Sequence, residues 1–212
     1  MDLVAAARRL GPRPGLPRLI LMTDAARGGD PVAAASRLPP ARVRGCGPGW
    51  AAVVLRHDGV AGRERLAAVL ARLCRSRGLR LVVARDARLA ARLGAGLHLA
   101  DGMPRPLCWR PRRGALLTVA AHGARALRRA KALGADLALL SPLFPTLSHP
   151  GAAALGPVRF AALARRAGLP VAALGGLAGG GRAVAARRAG AVAFAAVGAL
   201  AGPVLQPRHG VP

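Results

Sequence analysis

Eight short apolar runs recur along the chain: Leu19 to Met22, Ala51 to Leu55, Leu79 to Ala84, Gly96 to Leu99, Ala115 to Val119, Leu137 to Leu140, Pro170 to Leu174 and Val192 to Val197. Most are continuous rather than alternating, which predicts strands buried on both faces, as in a parallel sheet. Between most of them lie alanine- and arginine-rich segments with helical spacing. The clearest, Arg63 to Arg77, is predicted to bury Leu66, Val69, Leu70 and Leu73 on one face. Gly78, Gly94, Gly134, Gly168 and Gly190 each stand just before an apolar run, where glycine can close a helix in the left-handed conformation and turn the chain inward. Helix, glycine and strand in repetition predict a single-domain α/β protein, a compact TIM (β/α)8 barrel. At 212 residues it falls below the roughly 250 typical of that fold. Some of its helices must be short, because Arg27 to Pro48 is punctuated by Gly and Pro and Met103 to Arg113 is proline-rich. The expected organisation is an amino-terminal extension over 1–17, the barrel over 18–202 and a carboxyl-terminal tail over 203–212.

Charge changes this picture little. The formal net charge is +25, yet Lys131 is the only lysine and Glu64 the only glutamate. That joint bias reads as compositional drift toward Ala, Gly, Arg and Pro rather than selection for a polyanionic partner. Aromatic residues make up 2% of the chain and tyrosine is absent, so the stacking groups that accompany nucleic-acid binding are missing, and no nucleic-acid partner is expected. Cys46, Cys74 and Cys108 form no Cys-x-x-Cys pair, which points away from a zinc site and a disulfide framework and toward a reducing cytoplasm. No apolar run has the length of a membrane span or signal peptide, so no membrane association is expected.

In a barrel of this kind, ligands meet the carboxyl ends of the strands and the loops that follow. Gly175 and Gly176 after the seventh run, with Gly198 after the eighth, would let backbone approach a phosphate closely; the plainer reading is two strand-to-helix turns. Thr146 and Ser148 offer hydroxyl donors and His149 a charge, on a loop stiffened by Pro142, Pro145 and Pro150. Arg56 ends the second run, where a guanidinium fork suits an anion. His122 follows the fifth run as a candidate general acid or base. His98 lies inside the fourth run and reads equally as a core histidine. Asp86 and Asp101, near the ends of the third and fourth runs, are either oxygen ligands for a hard cation such as Mg2+ or a helix cap and a turn residue.

Taken together, Leu21-Met22-Thr23-Asp24, Leu55-Arg56, Gly94 to Leu99, Gly134-Ala135-Asp136, Ser141-Pro-Leu-Phe-Pro-Thr146 and Val171 to Leu177 resemble the thiamine-phosphate synthase and TenI superfamily over nearly the whole chain. The resemblance implies a (β/α)8 barrel of thiamine biosynthesis that binds small phosphorylated substrates. Its synthases join hydroxymethylpyrimidine pyrophosphate to a thiazole phosphate with Mg2+ and release pyrophosphate. Its TenI branch includes a thiazole tautomerase.

Departures from the family pattern fall at the metal and pyrophosphate end. Of the pattern Gln-x-Arg-x-Lys, only Arg56 is kept; Asn-Asp-Arg becomes Ala84-Arg85-Asp86; the acidic run after His98 becomes Ala100-Asp101-Gly102; the serine before His122 is Ala120. The hydroxyl loop keeps Thr146 and Ser148 but has His149 for lysine, and Gly198 replaces a serine. The expectation is therefore a synthase-like transferase with an eroded metal site, using Arg56, His122 and Arg85 catalytically. The alternatives are a tautomerase working through His122 without metal, and a non-catalytic binder of a phosphorylated heterocycle.

Overall fold

The computed structural model describes residues 2–25, 29–146 and 153–201. Eight parallel strands close on themselves in sequence order: β1 Leu19–Met22, β2 Ala51–Leu55, β3 Arg80–Ala84, β4 Gly96–Leu99, β5 Leu117–Ala121, β6 Leu137–Leu140, β7 Val171–Leu174 and β8 Ala193–Ala196. Leu19 of β1 pairs with Ala51 of β2 on one side and with Phe194 of β8 on the other, which seals the barrel. Four runs match their expected bounds fully, the third and seventh each lose one leading residue, and the eighth loses one residue at each end. β5 lies two residues further on than expected, because Ala115 and Leu116 belong to the turn that leads into it: the Ala115 N–H bonds back to the Arg112 carbonyl at 2.8 Å.

The helices are α1 Leu3–Arg8, α2 Pro31–Arg37, α3 Arg63–Arg77, α4 Ala87–Leu93, α5 Ala124–Ala132, α6 Gly156–Arg166, α7 Gly180–Arg188 and α8 Gly198–Ala201. All five helix-ending glycines take φ values between 62° and 96°, the conformation that the sequence pattern required of them. α3 has its predicted ends but a different buried face. Ala67, Leu70, Ala71 and Cys74 turn inward, Leu66 and Leu73 flank them, and Val69 stands 41% exposed on the opposite side. Small residues at 67 and 71 let α3 lie close to the sheet, so the stripe centres on them rather than on the larger aliphatics. Between β4 and β5 the expected short helix is absent. The segment folds as turns, and Trp109, 2% exposed, fills the place in the outer ring that a helix would cover.

Alternation along each strand separates two cores. Leu19, Leu21, Val53, Leu55, Leu97 and Leu99 pack outward against the helices. Ile20, Met22, Ala52, Val54, Val82 and Ala84 point inward with Leu137, Leu139, Ala172, Ala193 and Ala195. At the amino-terminal face Arg18, 7% exposed, donates to the carbonyls of Arg8, Leu10, Gly45 and Cys46 at 2.6 to 3.3 Å. That one guanidinium ties α1 and the loop before β2 to the base of β1.

Candidate active site

At the carboxyl ends of β6, β7 and β8 a cavity of about 440 Å³ opens. Its walls are largely apolar, from Pro142, Pro145, Leu174, Leu177, Ala195 and Val197, with the hydroxyls of Ser141 and Thr146 among them. Arg56 and Arg182 are the only charged side chains in its described lining, and no carboxylate joins them. Such a space suits an uncharged ring carrying an anionic group.

Arg56 reaches this cavity from β2 and is held there by a small network. Its N–H donates to Thr23 Oγ1 at 3.0 Å, and Thr23 Oγ1 lies 3.0 Å from His57 Nδ1. Thr23 Oγ1 thus links the backbone at the end of β2 to the His57 ring. Burial pushes the pKa of His57 down, helped by Arg63 and opposed by Asp24 and Asp58, which favours the neutral ring. The Arg56 guanidinium lies 3.9 Å from Asp24.

His122 sits at the end of β5, exposed, with Nδ1 3.0 Å from the Ser141 carbonyl and 3.4 Å from its hydroxyl. Donation from Nδ1 to that carbonyl leaves Nε2 as an acceptor, the tautomer a general base needs. His98 proves to be interior. On β4 it pairs in register with inward-facing Ala84 and with Thr118, whose Oγ1 is 2.9 Å from Nδ1. Burial, then Arg56 and Arg85, lower its pKa to about 3.

This buried neutral histidine sets an acid limit on stability. The unfolded chain protonates the ring near 6.5 and the folded chain only near 3, so between those values the unfolded state binds more protons. Stability is therefore expected to fall as pH drops from 6.5 toward 3. In urea unfolding from pH 7 to 4, His98→Gln should flatten that slope; an unchanged slope would place the acid sensitivity elsewhere.

The remaining rim is an arginine–aspartate network. Arg63 bridges Asp58 at 2.9 Å and Asp86 at 3.2 Å, and donates to the Ala84 carbonyl at 2.6 Å. Asp86 also caps α4, accepting from the Leu89 N–H at 2.9 Å. Arg85, in the left-handed region at φ 61°, holds its guanidinium 3.6 Å from Asp58. Asp101 lies on an exposed turn. Asp24, Asp58 and Asp86 each face a guanidinium, and among the described residues no three His, Cys, Asp or Glu side chains converge. An Mg2+ of the kind the resemblance implies would have to compete with Arg63 for Asp58 and Asp86.

The family pattern of thiamine monophosphate synthase matches residues 33–200. A thiamine-phosphate synthase from Chromobacterium violaceum is 40% identical over 150 residues, 68% of this chain and 70% of that protein. The chain belongs to the thiamine monophosphate synthase family. It is a synthase-type enzyme of thiamine biosynthesis. Among solved structures, a thiamine phosphate pyrophosphorylase from Pyrococcus furiosus superposes with TM-score 0.65 at 17% identity over 85% of both chains. A deoxyribose phosphate aldolase from Aeropyrum pernix gives 0.55 at 18% identity over 94% of both. At such identities these two speak for the barrel alone.

Within this family member the structure brings Arg56, Thr146, Gly175, Gly176 and Gly198 to one cavity, with His122 against its wall. Arg85 and Asp86 lie in the neighbouring ion network, and Ser148 and His149 lie outside the described residues. The two glycines have a structural role of their own. A Cβ on Gly175 would lie 3.0 Å from Pro142 Cα, and one on Gly176 would lie 2.6 Å from the Pro145 carbonyl oxygen. They let the 142–145 loop lie directly on β7, with Leu143 N–H bonded to the Leu174 carbonyl at 2.9 Å. Sequence reasoning passed over Arg182, one basic residue among 33; its place just after the glycines that follow β7 was the available signal.

Proposed function

We propose that this enzyme joins hydroxymethylpyrimidine pyrophosphate to a thiazole phosphate, with the thiazole phosphate in the 440 Å³ cavity. The observation that carries this reading is a largely apolar cavity, lined at its charged points by arginine alone, in a chain of this family. A C–N bond forms between the two heterocycles, the C–O bond to pyrophosphate breaks, and the bonding electrons leave with pyrophosphate. Negative charge grows on that leaving group, so fixed positive charge near it lowers the barrier. Arg56, whose backbone bonds Thr23 and whose guanidinium lines the cavity, would supply it, and Arg85 would add a second guanidinium at the rim. Three free thiols, Cys46, Cys74 and Cys108, support a reducing cytoplasm as its setting.

Because the rim carboxylates are already paired with arginines, turnover is expected to respond weakly to Mg2+ and to fall in Arg85→Ala. A coupling assay with both substrates across Mg2+ concentrations and chelator checks this. Turnover that vanishes with chelator and survives Arg85→Ala would overturn the arginine reading, and no product under any condition would overturn the synthase reading. A second reading, thiazole tautomerisation, is favoured by the His122 tautomer and needs no metal. It requires that His122→Gln abolish isomerisation of the thiazole substrate.

A further inference from the structure

We infer that Arg182 is the residue that grips the phosphate of the cavity's ligand and so selects phosphorylated over dephosphorylated heterocycles, an inference that rests on the cavity reading above. Arg182 lies in the first turn of α7, behind Gly179 and Gly180. That turn holds no acidic residue, and the helix start has no side-chain cap. A cation there sits beside the positive end of the helix dipole, so an anion bound at this helix start would meet both.

The guanidinium is held in position by the protein. Nη1 donates to the Gly176 carbonyl at 2.8 Å, and Cζ lies 5.3 Å from the centroid of the Phe144 ring. Those contacts occupy one ring face and one of five N–H donors, leaving most of the fork for an oxyanion. No carboxylate among the described residues pairs with Arg182, whereas Arg56 has Asp24 at 3.9 Å. Of the two guanidiniums lining the cavity, Arg182 is thus the one whose charge is not shared. Phe144 and the Gly176 carbonyl come from the two segments whose close contact the glycines allow, so the packing of loop on strand also sets the height of the arginine. The chemical class of ligand is a phosphate monoester carried on an uncharged ring.

Calorimetric titration with inorganic phosphate, with the thiazole phosphate and with the corresponding thiazole alcohol tests this. Arg182→Ala should weaken phosphate and thiazole phosphate at least tenfold while leaving the alcohol unchanged. Arg182→Lys should restore only part, and Phe144→Leu, which keeps the apolar contact but removes the ring face, should cost two- to fivefold. In turnover, Arg182→Ala should raise KM for the thiazole phosphate with kcat little changed, the mark of lost uniform binding. Phosphate binding within twofold of wild type in a folded Arg182→Ala protein would overturn the inference, as would wild type that binds no phosphate. If that variant keeps both phosphate affinity and synthase turnover, the inference falls and the synthase reading stands. If wild type makes no thiamine phosphate yet phosphate binding depends on Arg182, the inference stands and the synthase reading falls.

Discussion

Arg56→Ala is expected to lower kcat/KM for thiamine phosphate formation by about a hundredfold or more, the usual consequence of removing one fixed donor from developing negative charge. The side chain enters the cavity from the end of β2, and no described residue of β1–β4 lines it beside Arg56. Arg63 is committed to Asp58 and Asp86, so it is not free to take the place of Arg56. The fold should be little affected, because the Arg56 side chain is 35% exposed and its backbone N–H bond to Thr23 survives the change. Arg56→Lys keeps the charge and loses the planar fork, so it should recover only part of the rate. Steady-state kinetics beside denaturant unfolding checks both halves. A loss under threefold would remove Arg56 from the chemistry.

The second large effect concerns backbone rather than charge. Gly176→Val should destabilise the protein by about 3 kcal/mol or more, since it combines a β-branched residue at positive φ with overpacking against neighbouring chain. The new Cβ would meet the Pro145 carbonyl oxygen at 2.6 Å, Phe144 Cβ at 2.7 Å and the Phe144 carbonyl oxygen at 2.9 Å, and two of those three are backbone atoms that cannot rotate away. Gly198→Ala is the matched control. It lines the same cavity, yet its added Cβ meets nothing within 4 Å, so stability should change by less than about 0.5 kcal/mol. Urea unfolding of the pair separates a glycine needed by the fold from one that only faces the cavity. Equal losses at both positions would contradict this division.

The barrel was legible because its signals are local and repeated. A strand buried on both faces must be apolar throughout, and a helix that turns back inward needs a residue tolerant of positive φ. Both marks recur at fixed places in the chain. The site was legible as far as position at a strand end determines direction, which located Arg56, Thr146 and the glycines of β7. It was not legible where function depends on which of several identical residues converge. Arg182 looks like its 31 fellow arginines until α7 is docked beside the Phe144 loop. Asp86 could read as ligand or cap until Arg63, 23 residues earlier in the chain, was seen to occupy its second oxygen. The missing helix between β4 and β5 was half visible, in that prolines forbade a long helix without revealing that Trp109 would take its place.

The inward face of this barrel carries alanine at 52, 84, 172, 193 and 195, and Ala195 is among the residues that bound the cavity. The inner end of the site is therefore measured out in single methyl groups. Each methylene added at position 195 would shorten the space left for a ring, while the anion handle at Arg182 lies on a different element and stays where it is. Bulk tolerance and phosphate grip are thus separate dials on one pocket, and a lineage carrying this barrel can exchange the heterocycle it accepts without rebuilding the end that holds the phosphate.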